Sequence, residues 1–145
     1  MSFYKDKNKK PKKTWKVVLV VSLALLAVII VAVVVYGKWC ESETKPLLNR
    51  IEQIANHKIK VDSSAGEEYR FSLNLPDHGN REFLESSIKI RYVFIIGTNG
   101  EIKIEWINTY KNTPSNESIQ IITFVDLYIE RIDDQWVIKD MMALA

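Results

Sequence analysis

The feature that most constrains this chain is an uninterrupted apolar run at residues 17–36, VVLVVSLALLAVIIVAVVVY. These twenty residues carry no charge, and their only polar side chains are those of Ser22 and Tyr36. As a helix rising about 1.5 Å per residue, the run reaches roughly 30 Å, the thickness of a bilayer's hydrocarbon core. Because no water is available there, the backbone must form its own hydrogen bonds, so the run predicts a transmembrane helix.

The charges on either side of the run predict its orientation. Residues 1–16 hold seven lysines against one aspartate, a net charge of +6, whereas the lysines just after the run are offset by glutamates. The positive-inside bias therefore predicts a cytoplasmic N-terminus and residues 37–145 outside the cytoplasm. The lysines nearest the run, which fix this topology, are Lys9, Lys10, Lys12, Lys13 and Lys16.

Aromatic side chains flank the run where the two membrane–water interfaces would lie. Trp15 precedes it, and Tyr36 and Trp39 stand at its other end. Aromatic residues concentrate at such interfaces, so we expect these three to contact the lipid headgroup region. The bilayer is therefore the first predicted partner.

Two alternatives to an uncleaved signal anchor fit less well. A cleaved signal peptide would have an apolar region of about 7–15 residues and a small-x-small cleavage site, to which Val35-Tyr36-Gly37 is a poor match. A lipoprotein signal at Cys40 would need small, apolar residues before the cysteine, where the chain has Gly37-Lys38-Trp39. We therefore expect a single-pass protein of the cell membrane.

Composition argues against several kinds of chemistry. One cysteine and two histidines exclude an intrachain disulfide and a thiolate zinc site. Cys40, His57 and His78 show no spacing typical of a catalytic or metal site, and the chain has no glycine-rich phosphate loop. The paired acids Glu67-Glu68 and Asp133-Asp134 are better explained as strand and turn residues. We predict a non-enzymatic protein without a cofactor, and the arginine-free tail does not favour nucleic-acid binding.

Beyond the membrane run, residues 43–57 show a helical pattern. Thr44 is placed to cap the helix, and Pro46 is tolerated in a first turn. The apolar stripe comprises Leu47, Leu48, Ile51, Ile54 and Ala55. The predicted organisation is a basic cytoplasmic tail (residues 1–16), a transmembrane helix (17–36), a short tether (37–42) and one extracytoplasmic domain (43–145).

The segment after this helix shows only short patterns. Residues 69–75 alternate apolar and polar side chains, which predicts a short strand ended by Pro76. Residues 80–86 are expected to form a helical turn.

Two longer alternating segments then predict a hairpin. We place on the inner face of the first strand Ile88, Ile90, Tyr92, Phe94 and Ile96. The inner face of the second strand has Ile102, Ile104, Trp106, Asn108 and Tyr110. A two-residue turn at Asn99-Gly100 would set apolar residues opposite charges, so we predict a three-residue loop, Thr98 to Gly100, with Gly100 left-handed.

A long strand at residues 119–132 follows, with apolar residues on both faces, a pattern typical of a central or helix-covered strand. Asp133-Asp134 predicts a turn, and residues 135–142 return as the last strand. The predicted fold is α+β: an N-terminal transmembrane helix, then one main helix packed on a four- to five-stranded antiparallel sheet.

Four aromatic residues of the sheet invite a partner-binding role. Trp106 and Tyr92 share the predicted inner face, so core packing is expected for them. Tyr110 and Tyr128 are the better candidates for an exposed, partner-binding surface.

The order of a helix and long meandering strands, closing with Asp133, Asp134, Trp136 and Ile138, resembles the cystatin-like and nuclear-transport-factor-like families. With the anchor in front, the layout is similar to the bitopic scaffold component of type IV secretion and conjugation systems. The chain is short of the two or three N-terminal helices that line the pocket of the fuller fold. The resemblance implies a binding or assembly role, with no catalytic residues to carry over.

Three functions follow from these expectations. The first is a membrane-anchored module that binds other envelope proteins, as in a bacterial secretion or conjugation apparatus, with self-association left open. The second is an immunity or inhibitor protein that masks a secreted toxin or enzyme on an acidic sheet face. The third is an envelope sensor holding a small ligand between helix and sheet.

Overall fold

A computed structural model describes residues 14–73, 81–112 and 115–144. The elements in chain order are α1 (Thr14–Ala55), a 3-10 helix (Ser63–Glu68), α2 (Tyr69–Ser72), β1 (Arg81–Ile96), β2 (Asn99–Asn112), β3 (Ser118–Ile132) and β4 (Gln135–Leu144). The predicted α+β fold is confirmed. The chain divides into two compact units, Met1–Tyr36 and Gly37–Ala145.

In the first unit, α1 exposes apolar side chains around its whole circumference. Its most apolar 18-residue window has a mean hydropathy of 3.5, and none of that window is buried. A helix that is apolar on all sides needs apolar surroundings, which a protein core or a bilayer can provide. By length and composition, α1 is able to cross a membrane.

In the second unit, α1 is amphipathic, and the predicted stripe from Leu47 to Ala55 is buried. The predicted start of this helix was wrong, because residues 37–42 are already helical. Thr44 therefore has no free helix terminus to cap; its buried hydroxyl instead donates to the Cys40 carbonyl oxygen at 2.9 Å. Pro46 also lies inside the helix instead of in its first turn.

The C-terminus of α1 closes with a Schellman motif around His57. The His57 N–H donates to the Ile54 carbonyl oxygen at 2.9 Å, and the Lys58 N–H donates to that of Gln53 at 2.8 Å. His57 has a φ of 57°, in the left-handed region where glycine usually ends a helix. The expected position of His57 at the end of the helix is thus observed.

The predicted strand at residues 69–75 was wrong over its described part, because Tyr69–Ser72 is helical. Only Phe71 of this segment is fully buried, and its ring packs on Trp106 with centroids 4.8 Å apart. A single buried ring is compatible with a helical turn as well as with a strand. The short alternation of apolar and polar residues therefore could not distinguish the two. Residues 74–80, with Pro76 and His78, lie outside the described residues.

The helical turn expected at residues 80–86 was also wrong where it is described. β1 begins at Arg81, which pairs with Asn112 at the far end of β2. Cross-strand pairing with a long partner outweighs the weak local preference of this segment for a turn.

The four strands form an antiparallel meander in the order β1-β2-β3-β4. β3 lies between two neighbours, as its two apolar faces predicted. The inner face of the sheet joins the stripe of α1 in one core. Its buried members from the sheet are Val93, Ile95, Ile102, Ile104, Val125, Leu127, Ile129, Trp136 and Met141.

A β-bulge at Arg91 divides β1 into two halves, one with even-numbered and the other with odd-numbered side chains facing the core. The register shifts between Ile90 and Tyr92, and one extra residue turns every later side chain to the other side of the sheet. The side chains that pack on the core are those of Ile88, Ile90, Val93 and Ile95. The predicted inner face was therefore wrong for Tyr92, Phe94 and Ile96, all of which are exposed.

The β1–β2 turn is one residue shorter than predicted. Ile96 pairs with Asn99, so the turn consists of Gly97 and Thr98, with Gly97 at a φ of 60°. Tight hairpin turns require a positive φ at their first central residue, and this is why glycine is favoured there. Gly100 is a strand residue instead, and an added Cβ there would lie 3.0 Å from the Ile129 side chain.

The turn between β3 and β4 is the predicted one. Asp133 and Asp134 have φ values of 48° and 63°, which a two-residue hairpin turn of this kind requires at both positions. Aspartate tolerates the left-handed region better than most residues, which explains the pair.

Candidate functional site

The candidate site is the outer face of the sheet, defined here as the side opposite the buried core. It presents large apolar side chains from three strands, all of them exposed to solvent. These are Tyr92 and Phe94 on β1, Ile122, Phe124 and Tyr128 on β3, and Met142 on β4. Aromatic side chains and methionine are enriched where proteins bind one another, so this composition is typical of an interface.

Glu105 lies at the centre of this face, on β2, with cations from β1 around it. The Arg91 guanidinium donates a hydrogen bond to Glu105, and the Lys89 Nζ lies 3.7 Å from the same carboxylate. The hydrogen bond from Arg91 holds the pKa of Glu105 below its ordinary value. The Glu105 side chain is only 12% exposed, whereas those of Lys89 and Arg91 are 68% and 55% exposed.

Lys103 makes a second cluster two residues earlier on β2. Its Nζ lies 3.2 Å from Glu101 and 3.4 Å from Asp126. The hydrogen bond with Glu101, then that with Asp126, raises the pKa of Lys103 above its ordinary value. In these two clusters, therefore, the side chains of Glu101, Glu105 and Asp126 are less exposed than those of the cations that pair with them.

The bulge at Arg91 brings the charged and aromatic parts of the outer face together. The Arg91 guanidinium carbon lies 5.8 Å from the centroid of the Phe124 ring, close enough for a cation–π contact. Past the bulge, Tyr92 and Phe94 stack with centroids 6.3 Å apart and an interplanar angle of 15°. The face thus offers flat aromatic surfaces beside partly neutralised charges, which suits a protein partner.

The structure separates the two tyrosines predicted for a binding surface. Tyr128 is 38% exposed on the outer face. Tyr110 is 4% exposed, so its expected place on an exposed surface was wrong. Its ring packs against the edge of Phe83 across the β1–β2 pair, with centroids 5.8 Å apart. Burial also raises the pKa of the Tyr110 hydroxyl above its ordinary value.

The predictions for the other two aromatic residues, Trp106 and Tyr92, also have different outcomes. Trp106 packs against the core as expected, and its indole N–H donates to the Ser86 hydroxyl at 2.7 Å. Tyr92, which was expected in the core, is 47% exposed because the bulge turns it outward.

The residues predicted to lie at the membrane interface are solvent-accessible in the structure. Trp15, Tyr36 and Trp39 are all exposed on α1, as is Lys16. The remaining predicted topology residues, Lys9, Lys10, Lys12 and Lys13, lie outside the described residues. Interface contact remains a prediction for this whole set.

Four of the described residues considered for catalysis, Cys40, His57, Glu67 and Glu68, are occupied by structural contacts. Cys40 is buried in the core. His57 ends α1, and its ring meets the edge of Phe83 with centroids 5.7 Å apart. Glu67 and Glu68 form ion pairs with Arg70 and Arg50, each at 2.8 Å. Within residues 14–73, 81–112 and 115–144, no three His, Cys, Asp or Glu side chains group as metal ligands would.

A polar network that the sequence did not predict joins α1 to the sheet. The Asn56 side chain donates to the Ser86 carbonyl oxygen at 2.6 Å and accepts from the Ser86 N–H at 2.8 Å. The Ser86 hydroxyl in turn donates to Asn108 at 2.8 Å. The only sequence signal was Asn108 itself, a polar residue on an otherwise apolar face.

Comparison with protein-family models and with curated proteins gives no match. Among solved structures, the chain is similar to the intermembrane-space region of the chloroplast protein ARC6. The identity is 11% and the TM-score 0.42, over 75% of this chain and 96% of that one. Because similarity at this level does not establish a shared fold, it says nothing about what this chain binds.

Proposed function

We propose that this chain is a single-pass membrane protein whose folded domain lies outside the cytoplasm and binds another envelope protein through the outer face of its sheet. The observation that carries this proposal is the exposed aromatic and aliphatic surface around Phe124 and Tyr128. Such a surface costs solubility when it faces water, so its retention on a folded domain favours a binding role.

The anchor supports the cellular part of the proposal. The apolar surface of α1 over residues 17–36 needs apolar surroundings, which we propose to be lipid, and the lysine-rich tail before it favours a cytoplasmic N-terminus. We propose a non-enzymatic role, which fits the ion pairs that Glu105 and Lys103 form at the centre of the outer face.

The finer assignment is a subunit of a secretion or conjugation apparatus, and the layout of anchor, helix and meandering sheet supports it. The inhibitor hypothesis needed an acidic sheet face, whereas the side chains that reach furthest from this face are those of Lys89 and Arg91. The ligand-sensor hypothesis needed an enclosed pocket between helix and sheet, whereas buried side chains of α1, β2 and β3 fill the interior of that interface.

Site-specific photocrosslinking in the native cells tests the docking face. A photoreactive phenylalanine analogue replaces Phe124 in one variant and Tyr128 in a second, and exposed Lys58 in a matched control. We expect the first two variants to give the same discrete adduct with one envelope protein and the control to give none. Adducts from the control alone, or no adduct from either outer-face position, would contradict the proposal.

A further inference from the structure

The edge of β1 is a second place where the domain can bind, and Asn56 shows how. Its carboxamide pairs with both backbone groups of Ser86, at 2.6 and 2.8 Å. This is the pairing that the peptide group of a neighbouring strand would make. The backbone N–H and C=O of Ser86 therefore point away from β2, toward the open edge of the sheet.

The same orientation holds for the next two alternate residues. Backbone groups alternate sides along a strand, and β1 keeps its register on β2 from Ser86 to Ile90. The N–H and C=O of Ile88 and Ile90 thus also point to the open edge. β1 has a neighbouring strand on one side only, so no described strand pairs with these groups. An unpaired stretch of strand edge is a template for another strand.

A groove of about 270 Å³ runs along this part of the edge, between β1 and one face of α1. Its apolar lining is formed by Ile88, Ile90 and Leu48. Its polar lining is formed by Glu41, Lys45, Asn49 and Glu52. The three charged residues of this lining form no ion pair with any described residue, and two carboxylates against one ammonium leave the groove a net charge of −1.

We propose that this groove binds an extended peptide segment of a partner protein, which adds to β1 as a fifth strand. An extended backbone offers alternating donors and acceptors at the spacing of Ile88 and Ile90. Alternate apolar side chains of the segment contact Leu48 and the two isoleucines, and a lysine or arginine faces Glu41 and Glu52. Because Ser86 is already paired with Asn56, the free stretch from Ile88 to Ile90 spans roughly 7 Å, about two residues of the added strand. This proposal is independent of docking on the outer face.

Peptide selection on the full chain in lipid nanodiscs tests the proposal. The probe is a phage-displayed library of random seven-residue peptides, and hydrogen exchange of the protein is then measured with the enriched peptides. We expect enriched sequences with alternating apolar residues and at least one basic residue. Their binding should slow exchange at the Ile88 and Ile90 amides at least tenfold, while the Ser86 amide, already paired with Asn56, is protected with or without peptide.

Two controls separate edge pairing from other binding. The double variant Glu41→Lys/Glu52→Lys should weaken the enriched peptides about five- to tenfold, whereas Glu117→Lys, an exposed change outside the groove, should leave affinity unchanged. Peptides N-methylated at alternate residues keep their side chains but lose strand donors, and they should not bind. Enriched peptides that leave Ile88 and Ile90 unprotected, or a selection that enriches none, would overturn this proposal without touching the photocrosslinking result.

Discussion

The two faces of one sheet differ in what their side chains do for the protein. Apart from the buried pair Ser86 and Asn108, the inner face is apolar from β1 to β4, and it is closed by the stripe of α1 and by Phe71. The outer face mixes exposed rings with acids, of which Glu101, Glu105 and Asp126 are held by a lysine or an arginine. Both faces are built by the same strands, so the difference lies only in which alternate residue points which way.

This contrast indicates a division of labour between folding and binding. Burial of the inner residues supplies the hydrophobic stabilisation, whereas truncating an exposed outer residue removes little buried area. A large apolar residue such as Phe124 is therefore expected on the outer face for a reason other than stability. The following changes test that separation.

Insertion of an alanine between Tyr92 and Val93 should have the largest effect on stability. The extra residue would turn Val93 and Ile95 outward and Phe94 inward, whereas deletion of Arg91 would only remove the bulge and leave all three on their present faces. At about 1.5–3 kcal/mol for each buried aliphatic side chain, the loss is about 3–6 kcal/mol. Equilibrium unfolding in detergent micelles, followed by tryptophan fluorescence, measures it. Arg91→Ala keeps the residue count and should cost less than about 1 kcal/mol; equal losses for the insertion and for Arg91→Ala would mean that the register of β1 does not set the two faces.

A matched pair on β3 compares the faces directly. Leu127 is fully buried, and Phe124, three residues earlier, is exposed. Leu127→Ala should lower the free energy of unfolding by about 2–5 kcal/mol, because it leaves a cavity in the core. Phe124→Ala should stay within about 1 kcal/mol in the same unfolding assay while abolishing the photocrosslink from position 128. Comparable destabilisation by both would show that the outer face is part of the folding core.

Asn56→Ala tests the polar link between α1 and the edge of β1. The change leaves the backbone groups of Ser86 without their partner, at a cost of about 1–3 kcal/mol. Faster hydrogen exchange at the Ser86 amide should accompany the loss. Asn49→Ala, an exposed position on α1, serves as the control and should change stability by less than about 0.5 kcal/mol.

The smallest effect concerns the ion pairs of the outer face. Arg91 lowers the pKa of Glu105 in the folded state below its ordinary value of 4.5, so the folded state binds this proton less readily than the unfolded state. The stabilisation is therefore present above pH 4.5 and is lost as pH falls below it. When the free energy of unfolding is measured against pH, Glu105→Gln should lose less stability below pH 4.5 than wild type does. Glu117→Gln should behave as wild type. An undiminished loss in Glu105→Gln would assign the acid destabilisation to other carboxylates.

Much of the fold could be predicted because its signals are periodic. The stripe of α1 repeats at helical spacing, β2 alternates without interruption, and Asp133-Asp134 is a two-residue turn with the chemistry its φ values demand. Each of these features is read within one element, so no knowledge of the partner element is needed.

The errors arose where one residue changes the meaning of those that follow. The alternation of β1 continues through Arg91 in the sequence, yet the bulge turns the residues after it to the other side of the sheet. No local sequence signal marks the bulge. The burial of Tyr110 depends on Phe83, which lies 27 positions away in the chain. The pairing of Asn56 with Ser86 is similarly long-range, so the site had to be located from the structure.

The proposed role requires the folded domain to stand on the opposite side of the membrane from the basic tail. Labelling of intact native cells with a membrane-impermeant maleimide tests this most directly, in a Cys40→Ser background that carries either Thr98→Cys at the exposed β1–β2 turn or Ser2→Cys in the tail. The account predicts full labelling at position 98 before permeabilisation and labelling at position 2 only afterwards. Labelling at position 2 alone in intact cells would contradict the predicted orientation and, with it, the proposed function.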